Sequence, residues 1–116
     1  MDAALAEYFA QFAPDQSGKR PGERTLRLAG NSVKLDFAFT RVNLPVSFEQ
    51  FSYRVLDVSS LAFTADEWWG CGYLEKQRQH SAMADIRESL AEAKWVRRQM
   101  TRPMLRESAW TLPRNE

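Results

Sequence analysis

Only two stretches of this chain read as strands, and a helical stretch lies between them. That ordering is what most restricts the folds open to it. Thr25 to Ala29 alternates short polar and apolar residues, and Tyr53-Arg54-Val55-Leu56-Asp57-Val58 is a short apolar run. Two strands joined by a helical crossover lie parallel, with a right-handed connection. A parallel pair is normally covered on both faces inside a larger sheet, so two strands are too few. The chain therefore reads as part of an α/β domain. Its 116 residues amount to one domain at most. With 44% hydrophobic and 27% charged residues it has the composition of an ordinary globular protein, not of a disordered tail.

The helices fall around those two strands. Residues 2 to 13 set Leu5, Tyr8, Phe9 and Phe12 at helical spacing, and Pro14 ends that helix. Asp15 to Glu23 is a loop of Gly, Pro, Ser and charge. Gly30-Asn31-Ser32 breaks the first strand and offers a cap for a helix from about Val33 to Arg41, with a second break at Leu44-Pro45. Ser59 or Ser60 offers an N-cap for a helix leading into Trp68-Trp69, and Gly70-Cys71-Gly72 is a turn. Ala82 to Met100 has the strongest helical pattern. Met83, Ile86, Leu90 and Ala93 form its expected apolar stripe, with Glu88, Glu92 and Gln99 on the face toward water. Residues 1 to 100 are expected to form one partial domain. Residues 101 to 116 read as an irregular tail, whose arginines and Trp110 either touch a nucleic-acid backbone or are simply solvated.

Composition excludes several kinds of site. Sixteen Lys and Arg against fifteen Asp and Glu leave a net charge of +1, so no bulk charge draws nucleic acid to the chain. One Cys and one His build neither a disulfide framework nor an ordinary structural zinc site. There is no glycine-rich dinucleotide fingerprint and no phosphate loop. Cys71 at its glycine turn reads as packing or surface filler, with a nucleophile paired to His80 as the alternative. No apolar run approaches the ~20 residues of a membrane span. The N-terminal MDAALAEYFAQF has neither a basic lead-in nor a cleavage site, so the expected compartment is the cytoplasm, with no membrane partner.

Three carboxylates and the histidine stand out. Asp85 lies early in the last helix, close after His80. A carboxylate there binds a hard cation, and a nearby imidazole takes a proton from a polarised water. The plainer alternative is an acid favoured by the positive end of its helix and a surface histidine. Asp36 and Asp57 follow the two predicted strands at their carboxyl ends, where ligands gather in α/β sheets. For Asp57 a local cap before a helix serves equally well.

The blocks Gly30-Asn31-Ser32-Val33-Lys34-Leu35-Asp36, Tyr53-Arg54-Val55-Leu56-Asp57-Val58-Ser59-Ser60-Leu61 and His80-Ser81-Ala82-Met83-Ala84-Asp85-Ile86-Arg87-Glu88-Ser89-Leu90-Ala91-Glu92 together resemble oligoribonuclease, a family of DEDDh 3′–5′ exonucleases with a ribonuclease-H-like fold. The resemblance runs from about residue 2 to residue 100. It implies that Asp36 and Asp85 are two of four metal-binding carboxylates, for Mg²⁺ or Mn²⁺, and that His80 is the general base. It places Ser32, Arg54 and Ser59, with Asn31 alongside, where the family grips the 5′ phosphate of a very short RNA or other oligonucleotide. Tyr53 falls where a tyrosine reaches the substrate of a neighbouring subunit. These residue types suit the roles: Arg binds phosphate bidentately and Ser adds short donors.

The chain also departs from the family pattern. The family opens with three strands, the first carrying an Asp-x-Glu pair that supplies the other two carboxylates. The first match here is the helix that follows them, and Asp2 and Glu7 are no substitute. Lys34 and Leu35 replace the usual Gly-Gln before Asp36. The resemblance thus implies the C-terminal two-thirds of the fold, with about two parallel strands, flanking helices and the first three strands absent. A homodimer, or a separate chain bringing the strands and the Asp-x-Glu pair, is expected to complete it. The alternative is a non-catalytic binding or assembly module derived from such an exonuclease.

Overall fold

The computed structural model describes residues 1–12, 18–76 and 81–103. They form two compact units, Met1–Asp57 and Val58–Glu116. Among the described residues helices dominate, and the sheet is one parallel pair of strands.

In the first unit the elements are α1 (Asp2–Ala10), a 3₁₀ turn (Pro21–Glu23), β1 (Ala29–Gly30), α2 (Lys34–Asn43), α3 (Pro45–Phe48) and β2 (Leu56–Asp57). Pro45 opens α3 at the position where its missing N–H costs nothing, directly after α2 ends. α1 packs on α3 and is tied to it by Asp2. The Asp2 carboxylate accepts the backbone N–H groups of Val46 and Ser47 at 2.8 Å each and the Ser47 hydroxyl at 2.6 Å. It thereby satisfies the otherwise orphaned donors of the α3 N-terminus. Ala6, Val33 and Phe51 are buried, and edge-on aromatic pairs, Phe9 with Phe51 and Phe37 with Phe48, fill space at 5.0 Å each.

Both strands are shorter than the sequence suggests. The expected strand Thr25 to Ala29 pairs as a ladder only at Ala29–Gly30, with an isolated bridge from Leu26 to Phe51; Tyr53 to Val58 pairs only at Leu56–Asp57. The register explains this. Leu26 stands opposite Phe51 and Ala29 opposite Leu56, so two residues, Arg27 and Leu28, face four, Ser52 to Val55. The longer strand must bulge outward, which interrupts the ladder. The parallel direction, by contrast, is as the helical crossover requires.

In the second unit α4 (Val58–Trp69) packs against α5 (Ala82–Met100). α4 starts at Val58, so Ser59 and Ser60 lie inside its first turn and neither is the cap. The turn after α4 uses Gly70 and Gly72 at φ 64° and 71°, a region that side chains disfavour. Asp66 accepts the Gly72 N–H at 2.9 Å and closes that turn.

The bounds of α5 match the sequence pattern, but its faces do not. Glu92 and Gln99, expected toward water, are only 4% and 7% exposed. Met83, Ile86 and Leu90, the expected core stripe, are 57%, 61% and 55% exposed. Glu92, Val96 and Gln99 follow one another at intervals of four and three, so they form one continuous face. Ala62 and Ala65 of α4 are small enough for that face to approach closely, and Val96 is buried with them. Lys76 Nζ, 2.7 Å from Glu92 Oε2, provides the countercharge that a buried carboxylate needs.

Candidate functional site

Gly30 and Asp57 are partners across the parallel pair, and the chain turns out of β1 directly into α2. Within that turn Ser32 has φ 52°, a left-handed conformation rarely adopted by residues other than glycine. Its backbone N–H donates to Asp57 Oδ1 at 3.1 Å. Asp57 thus caps a turn across the strand pair. Ser32 does not cap α2 by its side chain, contrary to the reading of Gly30-Asn31-Ser32 as a capping break. The contact fixes instead the turn carrying Asn31 and Ser32 at the carboxyl end of the strands.

Asp36 occupies the first turn of α2 and is exposed. Its carboxylate makes no hydrogen bond or ion pair among the described residues; only its backbone carbonyl is used, accepting the Thr40 hydroxyl at 2.7 Å.

Tyr53 and Arg54 ride on the bulge between the two strand pairings. Ser52 is fully buried; its N–H donates to the Leu26 carbonyl at 2.7 Å and its hydroxyl accepts the Arg54 N–H at 3.1 Å. This anchor leaves both following side chains outside, with the Arg54 guanidinium 5.8 Å from the centre of the Tyr53 ring. Residue-by-residue reading missed Ser52, because its role comes from the register mismatch rather than from a motif.

In the second unit, Ser59 lies half-buried in the first turn of α4. Asp85 is exposed in the first turn of α5. The Ser81 hydroxyl caps that helix by accepting the Ala84 N–H at 3.2 Å. His80 lies outside the described residues. Among the described residues no three His, Cys, Asp or Glu side chains come together as metal ligands. Asp36 and Asp85 each offer hard carboxylate oxygens of the kind that Mg²⁺ and Mn²⁺ bind.

No protein-family model matches the chain. Curated relatives do match it, two of which are the following. The oligoribonuclease of Nocardia farcinica (strain IFM 10152) is 40% identical over 97 residues, covering 81% of this chain and 42% of the relative. The oligoribonuclease of Francisella tularensis subsp. novicida (strain U112) is 36% identical over 97 residues, covering 83% of this chain and 49% of the relative. The chain is homologous to the oligoribonucleases. It spans about half the length of the curated relatives it matches. Among the described residues no helix is long and apolar enough to cross a membrane.

Proposed function

We propose that the chain is the C-terminal part or subunit of an oligoribonuclease-like 3′–5′ exonuclease, hydrolysing short RNA or short DNA in the cytoplasm. In this reading residues 1 to 100 are a partial ribonuclease-H-like exonuclease domain and residues 101 to 116 its tail. The observation that carries the reading is the identity of 36% and 40% to oligoribonucleases over 97 residues. The Ser32 turn, held at the carboxyl end of a parallel pair, supports it.

The residue roles follow. Arg54, Ser32 and Ser59, with Asn31 beside them, grip the terminal phosphate, and Tyr53 contacts the substrate. Asp36 and Asp85 contribute carboxylate oxygens toward Mg²⁺ or Mn²⁺, which when bound would polarise water for phosphodiester cleavage. His80 takes the proton of that water. Two carboxylates hold Mg²⁺ weakly, because it surrenders its own waters reluctantly. A second copy, or a chain bringing an Asp-x-Glu pair and strands, would complete the site.

Exposed apolar stripes support the need for a partner: Leu35, Phe39 and Val42 on α2, and Met83, Ile86 and Leu90 on α5. The absence of a three-ligand cluster among the described residues favours a second reading, a non-catalytic binding or assembly module. A Mn²⁺-dependent assay on a dinucleotide, with and without a supplied three-strand Asp-x-Glu segment, separates the two. Turnover restored by the segment and lost in Asp85→Ala supports the enzyme. Binding without turnover under both conditions supports the module.

A further inference from the structure

Gly22 sits in the middle of the 3₁₀ turn Pro21–Glu23, half-buried, against the bulge that carries Tyr53. A Cβ at this position would stand 2.8 Å from Cε1 of the Tyr53 ring, 3.4 Å from its hydroxyl oxygen and 3.5 Å from Cζ. Non-bonded carbons pack at about 3.5–4.0 Å, so any side chain here displaces the ring. The backbone gives no other reason for a glycine. Gly18, Gly70 and Gly72 have positive φ, and Gly22 does not. What glycine supplies here is room, and the hydroxyl end of Tyr53 occupies it.

The turn is stiff enough to make that room a fixed place. Pro21 opens it with a restricted φ. The Glu23 N–H donates to the Arg20 carbonyl at 2.9 Å, and Glu23 Oε2 accepts the Arg20 N–H at 3.1 Å. Two more hydrogen bonds fasten the turn to the bulge. The Tyr53 N–H donates to the Pro21 carbonyl, and Arg24 Nη1 donates to the Phe51 carbonyl, at 3.3 Å each. The ring, by contrast, is 57% exposed and can turn about its own side-chain torsions. A Cβ at position 22 would therefore move the ring and not the turn, at little cost to the fold. We infer that Gly22 is a positioning residue, whose missing side chain sets where the Tyr53 ring and its hydroxyl stand for a short oligonucleotide. The inference rests on the reading of Tyr53 as a substrate contact; Gly22 acts through the ring and touches no nucleotide itself.

Two measurements on the full chain test it. In the first, 3-fluorotyrosine replaces the three tyrosines, and the resonance missing from Tyr53→Phe is that of position 53. Gly22→Ala should shift that ¹⁹F resonance and leave the other two in place; an unmoved resonance overturns the inference. In the second, binding of a 5′-phosphorylated dinucleotide in EDTA is followed through a double-mutant cycle. Tyr53→Ala is expected to weaken binding about tenfold, through loss of one stacking ring. Gly22→Ala should weaken it about threefold, because the ring is displaced and not removed. Added to Tyr53→Ala, Gly22→Ala should change nothing further, since its effect passes through the ring. A loss from Gly22→Ala that is equal in both backgrounds, or absent from the otherwise unaltered chain, overturns the inference and leaves the reading of Tyr53 standing. If Tyr53→Ala leaves the dinucleotide untouched, that reading fails and takes the inference with it.

Discussion

Ser32 shows how much a single backbone angle carries. A left-handed serine costs about 1–2 kcal/mol relative to its ordinary conformations, and the Asp57 carboxylate offsets part of that by holding the N–H. Asp57→Ala is therefore expected to lower stability by about 1 kcal/mol in denaturant melts. Ser32→Gly should be tolerated in the same assay, whereas Ser32→Val should be the most damaging of the three, because a β-branched residue fits that angle worst. Asp2 gives a second measurement. Burial alone would raise its pKa, but hydrogen bonds from the Ser47 hydroxyl and from the Val46 and Ser47 N–H groups outweigh this and hold it below its ordinary 3.8. A depressed carboxylate stabilises the fold fully above its unfolded value and ceases to do so as pH falls through the folded one. Thermal melts from neutral pH to well below 3.8 should show that acid loss, and Asp2→Ala should be less stable at neutral pH with a flatter acid limb.

At the scale of the element, α5 offers the sharpest contrast. Its packed face holds Glu92 against Lys76, and its outward face holds Ile86 and Leu90. Removing one member of a buried pair leaves the other uncompensated. Glu92→Ala should thus cost the 116-residue chain about 2–3 kcal/mol, somewhat less than a fully enclosed pair because Lys76 is a third exposed. Ile86→Ser with Leu90→Ser should cost under about 0.5 kcal/mol per site in the same chain, since both side chains already meet water. If that stripe is where complementing strands pack, the double serine variant should nevertheless abolish rescue of activity by an added Asp-x-Glu segment. Rescue that survives the double substitution would place the contact elsewhere.

For the whole molecule, a parallel pair of two-residue strands cannot cover itself. β1 has β2 on one side and no strand on the other among the described residues, and apolar stripes on α2 and α5 face outward. An open strand edge and uncovered apolar faces both favour association. Sedimentation at micromolar concentration should show self-association, or a shift to a defined complex when a complementing chain is added. A cooperative monomer with strongly protected amides over Thr25 to Ala29 would instead show that the chain closes its own sheet. The purified 116-residue chain should also show little or no turnover on short RNA, because Asp36 and Asp85 supply only half of the carboxylates that the proposed chemistry needs. Robust turnover abolished by Asp85→Ala would contradict this.

Apart from α3, which the sequence reads only as a break at Leu44-Pro45, the order of helices and strands, the parallel direction of the pair and the bounds of the last helix follow from local signals: apolar spacing, proline and glycine, and the handedness of a crossover. The family kinship is equally legible, because it resides in linear blocks around Asp36, Tyr53 and Asp85. Other features depend on what lies opposite a residue, and no local pattern encodes that. Helical periodicity establishes that α5 has two faces, but small Ala62 and Ala65 on α4 decide that Glu92 and Gln99, rather than Ile86 and Leu90, turn inward. The strand lengths and the outward set of Tyr53 and Arg54 come from two residues being matched against four across the pair. Ser32 reads as a helix cap in sequence, yet Asp57, brought beside it by the parallel register, makes it a strained turn. Sequence determines which surfaces a chain can offer; tertiary packing decides which are covered, because burial is settled by size and charge complementarity between segments far apart in the chain.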